Sequence, residues 1–106
     1  MATLMEWKYG HGFDPAEFCT AISFSANTEL KDAEKDLFVS ATATASSKTL
    51  TLGLPAGQTM ILSNVGSNAF TVKNVSGDSG TSLASGKVAL IIASQTANAT
   101  KVYVLN

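Results

Sequence analysis

From position 37 to the end of the chain, short stretches rich in β-branched residues alternate with clusters of Gly, Asn and Ser. This rhythm is typical of the strands and turns of an all-β sandwich or barrel. It predicts strands at 37–44, 48–54, 58–63, 69–75, 87–93 and 101–105, and the pattern at 21–25 predicts another. Apolar and polar residues alternate strictly at 49–52 and 70–73, which puts one face of each strand inside. We therefore expect an all-β fold, either a small antiparallel sandwich or a jelly-roll-like barrel.

The residues between these stretches suit tight connections. Pro55 and Gly57 fall two residues apart, as in a tight reversal between strands. The segment 65–68 is predicted to be a hairpin turn joining 60–62 to 70–72. The run 76–82 is predicted to be a longer polar loop. No solenoid repeat is apparent in the sequence.

The stretch 88–93 differs from the other strands because it is apolar on both faces. Alternation turns residues 88, 90 and 92 one way and residues 89, 91 and 93 the other. It is therefore either a central strand or a strand covered by a partner subunit. The residues predicted to form a subunit interface are Val88, Leu90, Ile91 and Ile92.

With 106 residues, the chain is long enough for a single small domain with its own core. Residues 1–36 hold seven acids and three lysines, whereas residues 37–106 hold only Asp78 against four lysines. We expect residues 1–20 to be an irregular arm and residues 21–106 to be the β-sandwich body. The segment 14–17 could start a short helix, and residues 27–36 are either a solvated loop or a short surface helix.

Composition argues against several classes of function. All seven basic residues are lysine and the pI is near 5.6, so nucleic-acid binding is not expected. The longest apolar run, 88–93, is far too short to span a membrane, and no membrane association is predicted. The first nine residues include Glu6 and Lys8, which do not fit a secretory signal, so we expect synthesis and retention in the cytoplasm.

The chain offers few groups for catalysis or metal binding. Cys19 is the only cysteine and His11 the only histidine. His11, Asp14 and Glu17 are spaced by threes, but neighbouring glycines and Pro15 argue against a helix that would align them as ligands. We therefore expect no metal and no cofactor.

One short motif resembles a catalytic signature. The letters Gly-Asp-Ser-Gly at 77–80 are those around the nucleophile of trypsin-like proteases, which would make Ser79 the nucleophile of a hydrolase. Such an enzyme also needs a histidine base and a larger fold. We expect a polar loop here, and a protein that is not an enzyme.

Aromatic residues are concentrated in the arm. Trp7, Tyr9, Phe13 and Phe18 are predicted to bind a partner protein, because exposed aromatic rings are common anchors of interfaces. Stacking on a sugar ring is another role open to the first three. Alternatively, these residues fold back and cover the body of their own subunit. The two alternatives are compatible if the arm packs between subunits.

A family resemblance lies in three stretches of the body. They read TLTLGLPAGQTMIL at 49–62, NVGSNAFTVKN at 64–74 and LASGKVALI at 83–91. Together they resemble a β-module of tailed-bacteriophage virion proteins, and they are similar in particular to small head decoration (cement) proteins. Pieces of phage tail fibres share the module.

The resemblance implies a structural virion protein that binds the outside of a phage capsid and stabilises it. Its partner would be the major capsid protein, its location the capsid surface, and its assembly a homotrimer at local threefold positions. A chain that starts at its own methionine and ends just after its last strand favours a decoration protein over a fibre fragment. The alternative is a carbohydrate-binding or structural β-module of a phage tail or fibre.

Overall fold

A computed structural model describes residues 19–105 of the chain, and these residues form two facing β-sheets. A short 3-10 helix, Asp32–Glu34, lies between the second and third strands. The strands are β1 (Cys19–Phe24), β2 (Thr28–Glu29), β3 (Phe38–Ala43), β4 (Lys48–Thr51), β5 (Thr59–Asn64), β6 (Phe70–Lys73), β7 (Thr81–Leu83), β8 (Val88–Ile92) and β9 (Lys101–Leu105). The expected all-β sandwich is confirmed.

The chain passes from one sheet to the other with each strand from β1 to β6. The five-stranded sheet has the order β1-β3-β5-β8-β9, and the four-stranded sheet has the order β2-β4-β6-β7. Because parallel neighbours need a crossover, each strand of one sheet serves as the crossover for the other. Strands β1, β3 and β5 are therefore parallel to one another, as are β2, β4 and β6. From β5 to β8 to β9, and from β6 to β7, the pairing is antiparallel.

This winding corrects three expectations, namely antiparallel sheets, the barrel alternative and a hairpin turn at 65–68. The sheets are mixed rather than antiparallel, and both are open, so the barrel alternative is not realised. Segment 65–68 is not a hairpin turn, because it joins β5 of one sheet to β6 of the other. The path is also solenoid-like, although its coils differ in length: Cys19 pairs with Phe38, and Phe38 with Ile61. Coils of unequal length and different residues leave no fixed period in the sequence.

The core lies between the sheets and follows the predicted alternation. Phe24 of β1 and Phe70 of β6 connect the two sheets, with ring centroids 5.3 Å apart and an angle of 79° between their planes. Such an edge-to-face pair adds about 0.5–1.5 kcal/mol beyond its buried area. Every second residue is buried in three successive segments, namely Leu50, Leu52, Leu54; Met60, Leu62, Asn64; and Phe70, Val72, Asn74.

Two buried asparagines satisfy backbone groups where strands end. The Asn74 amide accepts from the Leu54 N–H at 2.7 Å and donates to the carbonyl oxygens of Leu54 and Ser94. Asn64 donates to the carbonyl oxygens of Asn68 and Leu83, each at 2.9 Å. A buried backbone group without a partner costs free energy, so these side chains close the edges of the core where the ladders stop.

Most strand positions agree with the sequence predictions to within a few residues. The structure adds β2 and β7, both too short to show a pattern. For segment 27–36 the sequence permits either a solvated loop or a short surface helix, and the structure has both β2 and the 3-10 helix there. Strand β1 starts by Cys19, so residues 19 and 20, assigned to the arm, belong to the sheet.

Candidate interaction surface

Strand β8 has two apolar faces, as the sequence predicts, and the structure assigns each a different environment. Ala89 and Ile91 are fully buried between the sheets. Val88 and Leu90 are half-buried on the outside of the five-stranded sheet, where Ile92 is 41% exposed. Ile91 therefore does not belong to the outward set predicted as a subunit interface, since its side chain is part of the core.

The register of the five-stranded sheet places apolar residues side by side across its full width. Cys19 pairs with Phe38, Phe38 with Ile61, Ile61 with Leu90, and Leu90 with Tyr103. We call these five residues the outer row. Phe38, Ile61 and Leu90 are half-buried, whereas Cys19 and Tyr103 at the two edges are exposed. Residues in register on one face of a sheet are lateral neighbours, so the outer row is a continuous apolar band.

The rest of this outer face carries little charge. Val88 and Leu105 pair beside the outer row, and Ile92 pairs with Lys101 on its other side. Lys101 is the only charged residue among the outward positions of the five strands in the described part of the chain. Ser40, Ser63 and Thr59 are also among the outward positions beside the outer row, so the apolar band has partly polar borders, as is typical of an interaction surface.

Strand β9 forms an edge of the same sheet and is poorly covered on both sides. Val104 is 44% exposed and Leu105 47% exposed, although alternation points them to opposite faces. Apart from β8, no strand within residues 19–105 pairs with β9. A bare apolar edge strand is a template for pairing with another chain.

The residues predicted to bind a partner lie outside the described range. Trp7, Tyr9, Phe13 and Phe18 all precede Cys19, so their prediction stands as made from the sequence. The same holds for the spaced trio of His11, Asp14 and Glu17. Among residues 19–105, no group of three or more His, Cys, Asp or Glu side chains is placed to hold a metal ion.

The Gly77–Gly80 segment is a loop clamped by Asp78. One carboxylate oxygen of Asp78 accepts from the backbone N–H groups of Asn74 at 2.9 Å and Val75 at 3.2 Å. The other accepts from the N–H of Asn98 at 2.6 Å, and the Asn98 side chain accepts from the N–H of Ser79. The aspartate beside Ser79 thus ties the segment after β6 to the loop before β9.

Electrostatics agree with this clamping role. Burial acts to raise the pKa of Asp78, but the N–H groups of Asn98, Asn74 and Val75, helped by the charge of Lys73, lower the pKa below its ordinary value of 3.8. The carboxylate is consequently ionised, and fully able to accept hydrogen bonds, at neutral pH.

Three further features of the described residues bear on function: a glycosylation triplet, a polar cleft and the membrane-spanning potential of the helices. Asn74 begins a glycosylation triplet, but its amide is 1% exposed and hydrogen-bonded, so it is inaccessible in the folded body. An open cleft beside β2 is lined by polar residues, among them Asn27, Glu29 and Gln95, and has no aromatic side chain in its lining. In residues 19–105 the structure has no helix long and apolar enough to cross a membrane.

The outer row is a feature that sequence reasoning located only in part. Leu90 was in the predicted interface, whereas Phe38, Ile61 and Tyr103 were not. The burial of their strand neighbours shows that these three positions face outward, and the strand order and register show that they lie side by side.

Comparison of the chain with protein-family models, curated proteins and solved structures gives no match.

Proposed function

We propose that this chain is a structural virion protein that binds the outside of a bacteriophage capsid and stabilises it. The observation that carries the proposal is the outer row, a continuous apolar band on the surface of the β-body. In residues 19–105 every buried side-chain nitrogen or oxygen has a hydrogen-bond partner. A rigid body with an apolar docking face fits a scaffold for assembly. The similarity of 49–91 to decoration proteins supplies the particular assembly.

The aromatic arm is the proposed attachment to the major capsid protein. Trp7, Tyr9, Phe13 and Phe18 supply four rings within 18 residues, and each buried aromatic ring contributes about 150–250 Å² of contact. Aromatic residues are also the commonest energetic centres of protein interfaces. The arm is thus the richest source of binding energy outside the body.

We place the assembly as a homotrimer on the shell. The structural support is the bare edge of β9, which offers unpaired backbone groups and exposed side chains to a second copy. The threefold symmetry comes from the resemblance to decoration proteins. Made in the bacterial cytoplasm, the protein would then reside on the capsid surface.

The two alternatives have weaker support. A carbohydrate-binding module would need clustered aromatic rings, but Phe70 lies in the core, and Phe38 and Tyr103 are separated by two strands of the sheet. A hydrolase would need a base beside Ser79, whose hydrogen-bonding neighbours are engaged in the Asp78 clamp. Neither arrangement suggests chemistry at these positions.

Deletion of residues 1–13 tests the proposed attachment. We expect the truncated protein to keep the far-ultraviolet spectrum of a β-body and to stop co-sedimenting with expanded capsids of its phage. A matched control replaces Thr49, an outward residue of the four-stranded sheet, by serine and should bind normally. If the truncated protein still decorates these capsids, the arm is not the attachment.

A further inference from the structure

We propose that the arm of the same chain covers the outer row, with Phe13 and Phe18 packed across the outside of the five-stranded sheet. This inference concerns the free subunit and does not depend on capsid binding. In the free subunit the proximal part of the arm covers the outer row, whereas on the capsid the four rings and this row are the proposed contacts with the shell.

The place where the arm joins the body brings it to this face. Residue 18 leads directly into Cys19, which is both the first residue of β1 and the first member of the outer row. β1 is an edge strand of the sheet, so the preceding chain enters at the border of the apolar face. Phe18 thus starts one residue away from the row that it is proposed to cover.

The length of the arm is sufficient in any regular conformation. Four strand spacings of about 4.8 Å separate β1 from β9, so the outer row is about 19 Å long. Eighteen residues reach about 27 Å as a helix and about 60 Å when extended. Phe13, six residues before Cys19, reaches about 9 Å as a helix or about 20 Å when extended, which is between Ile61 and Tyr103 along the row.

The area of the face suits the arm better than a second copy. Five strands of about five residues give a face of roughly 24 by 17 Å, or about 400 Å². A stable dimer buries about 800 Å² on each partner. Two phenylalanine rings supply about 300–500 Å², which matches the face. Attachment through Cys19 also gives the arm an effective concentration of about millimolar at its own sheet.

Charge points in the same direction. Asp14 and Glu17 lie between the two phenylalanines, and residues 1–18 carry three acids against one lysine side chain. The only charge on the outward positions of the five strands is the cation Lys101. Lys101 lies on β9, at the edge opposite Cys19, so Asp14 and Glu6, the more distal acids of the arm, are the ones that can approach it.

Disulfide trapping in the isolated protein tests this arrangement. With Cys19→Ser as background, Ala16→Cys is paired with Ser63→Cys, an outward position beside the outer row on β5. The matched control pairs Ala16→Cys with Thr49→Cys on the outside of the other sheet. We expect an intramolecular disulfide that forms at least about tenfold faster with position 63 than with position 49, because docking raises the effective concentration.

A second variant separates docking from chance proximity. Replacing Phe13 and Phe18 by serine in the position-63 pair should slow the disulfide several-fold, to the rate that the attachment through position 19 alone gives. Equal rates for the two pairs would overturn the proposal, as would unchanged trapping after the serine replacements. Covalent dimers in place of the intramolecular product would show that the arm covers a second copy instead. None of these outcomes bears on capsid binding, which the truncation experiment measures separately.

Discussion

Replacing Asp78 by alanine is expected to destabilise the body by about 4 kcal/mol, because a single carboxylate satisfies three backbone donors. The donors belong to Asn74 and Val75, which lie just before Asp78, and to Asn98, which lies 20 residues after it. Loss of a hydrogen bond to a buried donor costs about 1–3 kcal/mol. We assign about 2 kcal/mol to the buried Asn74 and about 1 kcal/mol to each of the others, where water can partly replace the carboxylate.

Two matched variants make the magnitude interpretable. Asp78→Asn keeps one side-chain oxygen as an acceptor, so it should cost about half as much, roughly 2 kcal/mol. Ser79→Ala alters the adjacent residue, whose hydrogen bond to the Asn98 side chain uses its backbone N–H, and should stay within about 0.5 kcal/mol of the native protein. Urea unfolding followed by circular dichroism gives the free energies. For a domain of this size, the alanine variant should also lose about 15 °C or more in Tm.

The same residue predicts how stability depends on pH. The pKa of Asp78 is lower in the folded state than in the unfolded chain, so its contribution is complete above the ordinary value of 3.8. That contribution is lost as the pH falls through the folded-state pKa. Asp78→Asn should therefore flatten the acid side of the stability profile. An alanine variant within about 1 kcal/mol of native, with an unchanged acid profile, would refute the clamp.

The remaining predictions concern one loop glycine, the two faces of β8 and the assembly. Gly80→Ala should cost about 2–3 kcal/mol in unfolding measurements, because φ is +86° and an added Cβ would collide with the Thr71 side chain. Gly86→Ala, with φ +78° and open space around the added Cβ, should cost about 1 kcal/mol. Equal costs for the two variants would contradict the collision. Ile91→Ala should cost about 2–5 kcal/mol by the same assay, because it opens a cavity in the core. Leu90→Ala should cost clearly less, since Leu90 lies on the outer face of the sheet. The reverse order would mean that Leu90, and not Ile91, faces the core. Light scattering should give a particle of about 33 kDa for the proposed trimer, and a concentration-independent 11.0 kDa particle would restrict assembly to the capsid.

Alternation of apolar residues predicted which side chains lie inside. The buried positions Leu50, Leu52, Phe70 and Val72 all follow from a period of two. This signal is local, because it depends only on successive residues pointing to opposite faces. Strand positions could therefore be predicted well for all but the two shortest strands.

Strand pairing could not be predicted in the same way. The turn at 65–68 has the residues of a hairpin, but residues that permit a tight reversal also permit a step from one sheet to the other. The partners of β5 are β3, about 20 residues earlier, and β8, about 30 residues later. Pairing over such separations depends on how whole strands pack, which no local pattern records.

The candidate surface could likewise be predicted only in part, because it depends on both local alternation and strand pairing. The outward direction of Leu90 follows from its strand, whereas its place beside Ile61 and Tyr103 follows from the register. The Asp78 clamp was likewise hidden, since its partner Asn98 lies in a separate loop. The letters around Ser79 drew attention to a catalytic motif, and the structure gives the neighbouring aspartate a role in holding backbone.

We propose that this chain is a stoichiometric component of a phage shell. Quantitative mass spectrometry of purified virions, calibrated with labelled peptides of this chain and of the major capsid protein, measures it most directly. We predict that the chain is present at a fixed ratio to the major capsid protein, set by repeated positions on the capsid lattice. Absence from the virions, or only the few copies expected of a tail component, would contradict the account.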